Sequence, residues 1–228
     1  MNKTIKTALR DTLAVLGGYM VLGFGFGILM HASGFHLLHT LLMSLFIYAG
    51  SMQFAAVGLM TGGASLLTAA VTTLMVNARH IFYGISMLEK YQHTGKAKPY
   101  LIFGLTDETY SLVCRETEMP DEEKKRYYRW VTALDHVYWV TGSLMGAAVG
   151  TMVQFNTEGI DFSLTALFLT VFLEQWLTKK DHAPALMGVL ISLICLLIFG
   201  SEHFLIPAML VIALLLCLYT GREAKERG

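Results

Sequence analysis

Charged residues and cysteines are both scarce in this chain. Only 15% of its 228 residues are charged and 54% are hydrophobic, whereas soluble domains have about 25% charged residues. The three cysteines, Cys114, Cys195 and Cys217, are far apart and form no CxxC pair, which excludes a disulfide framework and a cysteine metal site. The composition indicates an integral membrane protein with no room for a separate soluble domain.

An excess of one charge is also absent. Lys and Arg together number 17, as do Asp and Glu, and the basic residues are dispersed in loops and tails, so nucleic acid is excluded as a partner. No Ser/His/Asp or Cys/His set has a catalytic spacing. The spacings of His31, His36 and His39 match no metal-ligand motif. We therefore predict a protein that uses no metal or cofactor and is not an enzyme.

Long apolar segments are what the sequence does contain. A helix needs about 20 apolar residues to cross a bilayer, and such segments cover most of the chain. We predict an all-α fold, a polytopic transmembrane helix bundle of seven or eight spans that forms one transporter domain over residues 1–228. The seven clearer spans are Thr12–Met30, Thr40–Met60, Ser65–Leu88, Trp130–Met152, Leu164–Thr178, Ala183–Gly200 and Phe204–Tyr219.

The eighth candidate span, Tyr100–Val113, is shorter and contains Asp107 and Glu108 at its centre. Lipid does not tolerate such residues unless protein surrounds them. This segment is therefore either shielded by other helices or embedded only part of the way.

Lysine and arginine positions predict the orientation. They occur in the N-terminal tail, at 124–129, at 179–180 and after Thr220. Eight passages with both tails, 1–11 and 220–228, in the cytoplasm fit this distribution. Lys90, Lys96 and Lys98 would then lie outside, whereas seven passages or a re-entrant segment would move them.

A weak internal repeat is visible when Gly27 is aligned with Gly150, which places Leu41–Phe46 over Leu164–Leu169. Transporters are commonly built from such repeats, with the binding site at the repeat interface. Gly/Leu-rich helices also resemble one another by chance. The glycines between 17 and 27 lack the strand that a nucleotide loop requires, and favour close helix packing.

The second span is interrupted by Tyr48-Ala49-Gly50-Ser51-Met52-Gln53. Glycine costs about 1 kcal/mol in a helix interior, and serine can divert backbone hydrogen bonds. We predict a broken helix whose exposed N–H groups could bind a substrate carboxylate. The alternative is a small-residue packing face between helices, and Gln53 favours the binding function.

The third span contains Asn77-Ala78-Arg79-His80, the most unusual polar cluster in the chain. Ionisable residues inside a membrane cost about 2.5 to 3.5 kcal/mol on insertion scales and mark substrate or ion pathways. In a continuous helix, Asn77 and His80 share one face and Arg79 points elsewhere. Arg79 needs a partner, either for function or as a structural ion pair, and the sequence offers Asp107, Glu108, Asp135 and Glu174.

Asp107 and Glu108 are the strongest acidic signal. One carboxylate could neutralise Arg79, and the other could bind a substrate ammonium group or carry a coupling proton. Alternatively, the pair could cap a short interfacial helix. Asp135, near the start of its span, is expected at the membrane interface.

Four motifs together resemble the AzlC family, the large subunits of bacterial branched-chain amino acid transport systems. They occur in the order Tyr48–Ala56, Asn77–Gly84, Thr106–Glu108 and Trp139–Gly146. The resemblance implies a plasma-membrane exporter of branched-chain amino acids that works with a small AzlD-like membrane subunit. Gly84 is followed by no proline, and Glu174 lies in a segment without a clear match, which are departures from the family pattern.

The residues and the resemblance lead to one hypothesis for the mechanism. An apolar amino acid would bind near the middle of the bilayer, its carboxylate held at Gly50-Ser51 and by Arg79. Gln53, Asn77 and His80 would add hydrogen bonds, with Tyr48 beside them. Two other functions remain open: a membrane enzyme acting on a lipid phosphate, and a scaffold or sensor that transports nothing.

Overall fold

The computed structural model describes residues 3–77, 79–115, 119–152 and 181–204, and single positions within 169–177 and 207–219. These residues form helices and links with no strand among them, which confirms the predicted all-α class for this part. The chain divides into two compact units, Met1–Leu164 and Thr165–Gly228.

Unit 1 contains nine described α-helices and one 3-10 turn. They are α1 (Lys3–Asp11), α2 (Leu13–Ala32), α3 (Leu37–Phe46), α4 (Gly50–Thr61), α5 (Leu66–Val76), α6 (Arg79–Tyr91), the 3-10 turn (Gly95–Ala97), α7 (Lys98–Phe103), α8 (Asp107–Val113) and α9 (Asp121–Met152).

Unit 2 is described mainly by α10 (Ala183–His203). Asp181 precedes this helix and accepts hydrogen bonds from the Ala183 N–H (2.9 Å) and the Tyr219 hydroxyl (3.0 Å). The helix changes direction at Gly200, where φ is +72°, a value that glycine adopts without strain.

Two described helices are long and apolar enough to cross a membrane, α2 and residues 183–200 of α10. They match the predicted spans Thr12–Met30 and Ala183–Gly200. The number of seven or eight spans stays a prediction. The spans Leu164–Thr178 and Phe204–Tyr219, and with them the second half of the possible repeat, lie largely outside the described residues.

Three predicted segments are interrupted helices. The second span divides into α3 and α4 at residues 47–49, which confirms the predicted break. The third span divides into α5, which Asn77 caps, and α6, which begins at Arg79. The expectation of one continuous helix there is wrong. The Tyr100–Val113 segment divides into α7 and α8 at residues 104–106.

Helices α2 and α9 form the most extensive helix pair in unit 1 and run parallel. Small residues allow this contact. A Cβ on Gly23 would lie 3.0 Å from the Trp139 carbonyl oxygen, and one on Gly146 would collide with the Phe24 backbone. Backbones that approach this closely need small residues on both helices. The close packing predicted for the glycine-rich first span is thus confirmed at Gly23.

One end of unit 1 collects basic residues. Here the Tyr127 hydroxyl donates to Asp11 (3.0 Å), Tyr91 contacts the ring of Tyr128, and the Lys90 ammonium donates to the Cys114 carbonyl (2.7 Å). A shared pocket there is lined by Glu89, Lys90, Gln92, His93, Arg115, Asp121, Lys124, Lys125 and Tyr128. We call this region the basic end.

The chain between α6 and α9 leaves the basic end and returns to it. Tyr91, at the end of α6, and Cys114, just after α8, both lie there. Helices α6 and α8 run parallel. Tyr83 stacks on Tyr110, with ring centroids 4.4 Å apart, and further along both helices Lys90 contacts Cys114. The segment containing α7 and α8 is therefore re-entrant within unit 1, and the link that carries Lys96 starts at the basic end.

The glycine contact generates a stability prediction. Gly146→Ala should destabilise the protein by about 1–3 kcal/mol, because the added methyl group forces α2 and α9 apart. Gly25→Ala is the matched control, since a Cβ there has open space and alanine is the better helix former. Thermal melting in detergent measures both, and equal melting temperatures would contradict the close contact.

Candidate functional site

The three helix breaks meet at one point. Arg79, the first residue of α6, donates from Nη2 to the Ser51 hydroxyl at 3.0 Å. The same nitrogen lies 2.8 Å from Asp107 Oδ2, in the first turn of α8. Both charged side chains are about one-third exposed, at 32% and 34%. The starts of α4, α6 and α8 are therefore joined by a single guanidinium group.

The first break is stabilised by α9. His136 Nε2 donates to the Ser44 carbonyl (3.3 Å), one of the last carbonyls of α3, while its Nδ1 accepts from the Tyr100 hydroxyl (3.2 Å). Tyr48 has a φ of +43° and lies against the imidazole ring, with centroids 4.3 Å apart. A positive φ in a bulky residue is uncommon and costs about 1–3 kcal/mol. Tertiary contacts with His136 and Tyr100 thus hold the break.

Gly50 and Gln53 pack against Trp139. A Cβ on Gly50 would lie 3.1 Å from the indole ring, so any larger residue would press on the Trp139 side chain. Gln53 is fully buried, and its Oε1 accepts from Trp139 Nε1 at 2.9 Å. The indole also contacts the rings of Tyr19 and Phe26. The first turn of α4 is therefore fixed against α2 and α9.

The second break uses Asn77 and His80 to close itself. Asn77 ends α5, and its carbonyl accepts from the His80 N–H (2.9 Å) and from His80 Nδ1 (3.2 Å). The expectation that these two residues share one face of a continuous helix is wrong, because the helix stops at Asn77. His80 thus satisfies the Asn77 carbonyl at the break, and Arg79, one residue earlier, turns towards Asp107.

The third break starts a buried chain of hydroxyl groups. Thr106 caps α8, its Oγ1 accepting from the Thr109 N–H (3.3 Å), and the Tyr19 hydroxyl lies 2.6 Å from that Oγ1. Tyr19 also contacts Glu108 Oε2 at 2.7 Å, and Thr109 Oγ1 contacts Asp135 Oδ2 at 2.8 Å. Two carboxyl groups are thereby linked through three hydroxyl groups.

Asp135 was expected at the membrane interface, and that location stays a prediction. Its side chain is fully buried. α9 begins at Asp121 rather than at Trp130, so Asp135 lies roughly 21 Å along the helix. At this depth it contacts Thr109 of the re-entrant segment.

Several buried polar atoms around the breaks have no hydrogen-bond partner among the described residues. They are Arg79 Nε, Asp107 Oδ1, Gln53 Nε2, Tyr48 Oη and Asp135 Oδ1. Leaving a buried donor or acceptor unpaired costs about 1–3 kcal/mol. Arg79 and Asp107 thus offer one donor and one acceptor side by side, which suits a small molecule that carries both a negative and a positive group.

The structure brings most of the predicted site residues together: Tyr48, Gly50, Ser51, Gln53, Arg79, Asp107, Glu108 and Asp135 surround the meeting point of the breaks. Asn77 and His80 lie at the second break. Glu174, also offered as a partner for Arg79, is outside the described residues.

Sequence reasoning missed Tyr19 and Thr109. Tyr19 is the only polar side chain between Leu13 and Met30. A lone hydroxyl in an apolar, glycine-rich helix was the available signal. Thr109 could not be recognised, because threonine is common in membrane helices.

Comparison with known proteins gives a consistent result. Residues 14–153 match the family model described as AzlC protein. The chain is 45% identical to the branched-chain amino acid transport protein AzlC of Bacillus subtilis, covering 91% of this chain and 82% of that protein. It is 44% identical to an uncharacterized membrane protein of Haemophilus influenzae, covering 95% and 89%. It is 28% identical to the inner membrane protein YgaZ of Escherichia coli, covering 83% and 81%. No solved structure matches the chain significantly.

Removing the indole N–H tests the packing of the first break. Trp139→Phe should destabilise the protein by about 1–3 kcal/mol, because the fully buried Gln53 side chain then loses the one hydrogen bond that it makes to the described residues. Trp130→Phe, at an exposed position of the same helix, should have little effect. Melting temperatures of the two variants in detergent make the comparison. An equal fall in melting temperature in both variants would contradict a stabilising role for the Trp139 N–H.

Proposed function

The chain belongs to the AzlC family, and on that premise we propose that it is the large subunit of a secondary transporter that exports branched-chain amino acids across the bacterial plasma membrane. It would act as one transporter domain over residues 1–228, without catalysis, together with a small AzlD-like membrane subunit. The observation that most supports this proposal is the pairing of Arg79 with Asp107 at the meeting point of three helix breaks.

An amino acid at neutral pH carries a carboxylate and an ammonium group, and the ion pair offers a complement to both. The carboxylate would bind Arg79 Nε and the first N–H groups of α4 at Gly50 and Ser51, where a helix has unpaired donors and a positive dipole end. The ammonium group would bind Asp107 Oδ1. Arg79 Nε and Asp107 Oδ1 are both buried and have no hydrogen-bond partner among the described residues. The substrate would supply these missing contacts.

Apolar side chains near the breaks would receive the branched side chain. Met52 and Phe54 are buried in the first two turns of α4, and Phe103, at the end of α7, contacts the ring of Tyr48. A pocket of this kind favours branched aliphatic groups over polar ones, because each buried CH₂ group contributes about 0.8 kcal/mol.

The basic end would face the cytoplasm, since lysine and arginine accumulate on that side of membrane proteins. With both tails inside, Lys90 and Lys96 no longer conflict with the charge rule, because Tyr91 contacts Tyr128 at the basic end, where Tyr127 also binds Asp11 of α1. The breaks would then lie between the two membrane surfaces, where irregular backbone is tolerated only inside protein or beside a water-filled cavity.

Transport assays test the site. Arg79→Ala and Asp107→Asn should each abolish leucine or valine efflux from preloaded cells at normal protein levels, because each variant leaves the other charge unpaired. Lys125→Ala, which removes only a surface pair with Glu122, should retain efflux. Wild-type efflux in both site variants would rule out the proposed role of this ion pair.

Cysteine labelling tests the orientation. In a background without the three native cysteines, Lys96→Cys and Arg126→Cys should react with an impermeant maleimide from the cytoplasmic side only. His36→Cys, in the link after α2, should react from the opposite side. All three positions are exposed. Labelling of Lys96→Cys together with His36→Cys would mean that α7 and α8 form a crossing instead of a re-entrant segment.

A further inference from the structure

We propose that Tyr19, Thr106 and Thr109 form a proton relay between Glu108 and Asp135, and that transport is coupled to the proton this relay carries. The inference rests on the proposed transport function and adds the identity of the coupling ion. It depends on hydroxyl and carboxyl groups inside unit 1.

The relay is a continuous line of five oxygen atoms. Its four links are Glu108 Oε2 to Tyr19 Oη (2.7 Å), Tyr19 Oη to Thr106 Oγ1 (2.6 Å), Thr106 Oγ1 to Thr109 Oγ1 (3.1 Å) and Thr109 Oγ1 to Asp135 Oδ2 (2.8 Å). All are within hydrogen-bond distance for oxygen pairs or slightly longer. The line joins α2, α8 and α9.

Counting protons shows what the line requires. Each of the four links needs one proton between its two oxygens, and each of the three hydroxyl groups supplies one. The fourth proton must come from a carboxyl group. If Glu108 and Asp135 were both ionised, one of the four links would have no hydrogen between its two oxygens. With the outer hydroxyls donating to the carboxylates, that link could be the one between Tyr19 and Thr106, whose oxygens are only 2.6 Å apart. The complete line therefore holds one titratable proton.

That proton can lie at either end of the line. When Glu108 is protonated, it donates to Tyr19, and every hydroxyl donates onward towards Asp135. In the structure Thr106 donates to Thr109; when Asp135 is protonated, the Thr109 hydroxyl must turn to donate to Thr106, Thr106 donates to Tyr19 and Tyr19 donates to Glu108. Conversion moves each proton across one link, so each hydroxyl keeps one proton throughout. One proton leaves one carboxyl group and one arrives at the other.

The Glu108 end of the relay adjoins the proposed substrate site. Glu108 follows Asp107, which is paired with Arg79, so a change of charge on Glu108 acts directly on the groups that would bind the amino acid. The other titratable groups that face Glu108 are Arg79, Tyr48 and Tyr83. Those that face Asp135 are Tyr48, Tyr100 and Tyr127. Loading of the proton and loading of the substrate would therefore influence each other through short-range electrostatics.

Purified wild-type protein in liposomes, with its small subunit if transport requires it, tests the inference. An imposed pH gradient should drive accumulation of leucine, and a pH-sensitive dye should record one proton moved for each leucine. Asp135→Asn should lose gradient-driven accumulation and proton movement. The same variant should retain leucine/leucine exchange, which needs no net proton transfer and also shows that the variant is folded.

Two threonines provide a matched comparison. Thr109→Val interrupts the relay, whereas Thr132→Val removes a hydroxyl that is equally buried but has no partner among the described residues. Only Thr109→Val should lose proton coupling with exchange intact.

The remaining outcomes separate the two proposals. Absence of leucine exchange in the wild type would overturn the transport function itself. Exchange without proton movement in the wild type would overturn the relay and leave transport standing. Full coupling in Thr109→Val, or loss of exchange together with coupling, would also overturn the relay, because the hydroxyl would then be dispensable or part of the leucine site.

Discussion

Helix ends inside an apolar bundle have N–H and C=O groups that lipid cannot satisfy, and unit 1 must accommodate three pairs of such ends. The solutions differ. His136 reaches across from α9 to a carbonyl of α3, His80 folds back onto the carbonyl of Asn77, and Thr106 caps the helix it precedes. These side chains stabilise the breaks, and the breaks bring Arg79 and Asp107 into contact.

How far the sequence could predict this arrangement depends on whether the signal was local. The break near Gly50 was predictable because a glycine, a serine and a glutamine interrupt one apolar segment. The break at Asn77 was not, since asparagine occurs both within and at the end of membrane helices. The helix ends there in the structure, where Arg79 bonds to Ser51, 28 residues before it, and to Asp107, 28 residues after it.

Asp135 illustrates the opposite difficulty. Its polarity suggested an interface, because the charged residues before Trp130 appeared to precede the helix. They belong to it, and the helix carries Asp135 into the interior, where a threonine from the re-entrant segment meets it. The polar first turns of α9 are helical because other helices pack on α9, here α1 and α8. The residue pattern of α9 alone does not reveal these neighbours.

The parallel contact of α2 and α9 has a mechanical consequence. Backbone lies against backbone at Gly23 and Gly146, and the residues on either side of these glycines carry larger side chains. Small residues recur once per turn, at Gly23 and Gly27 on α2 and at Gly142, Gly146 and Gly150 on α9, so a slide by part of a turn would bring a larger side chain onto the facing backbone. The α2–α9 pair therefore resists sliding, and within the described part of unit 1 a rearrangement that opens the centre to one surface and then to the other would come from the short helices that begin and end at the breaks.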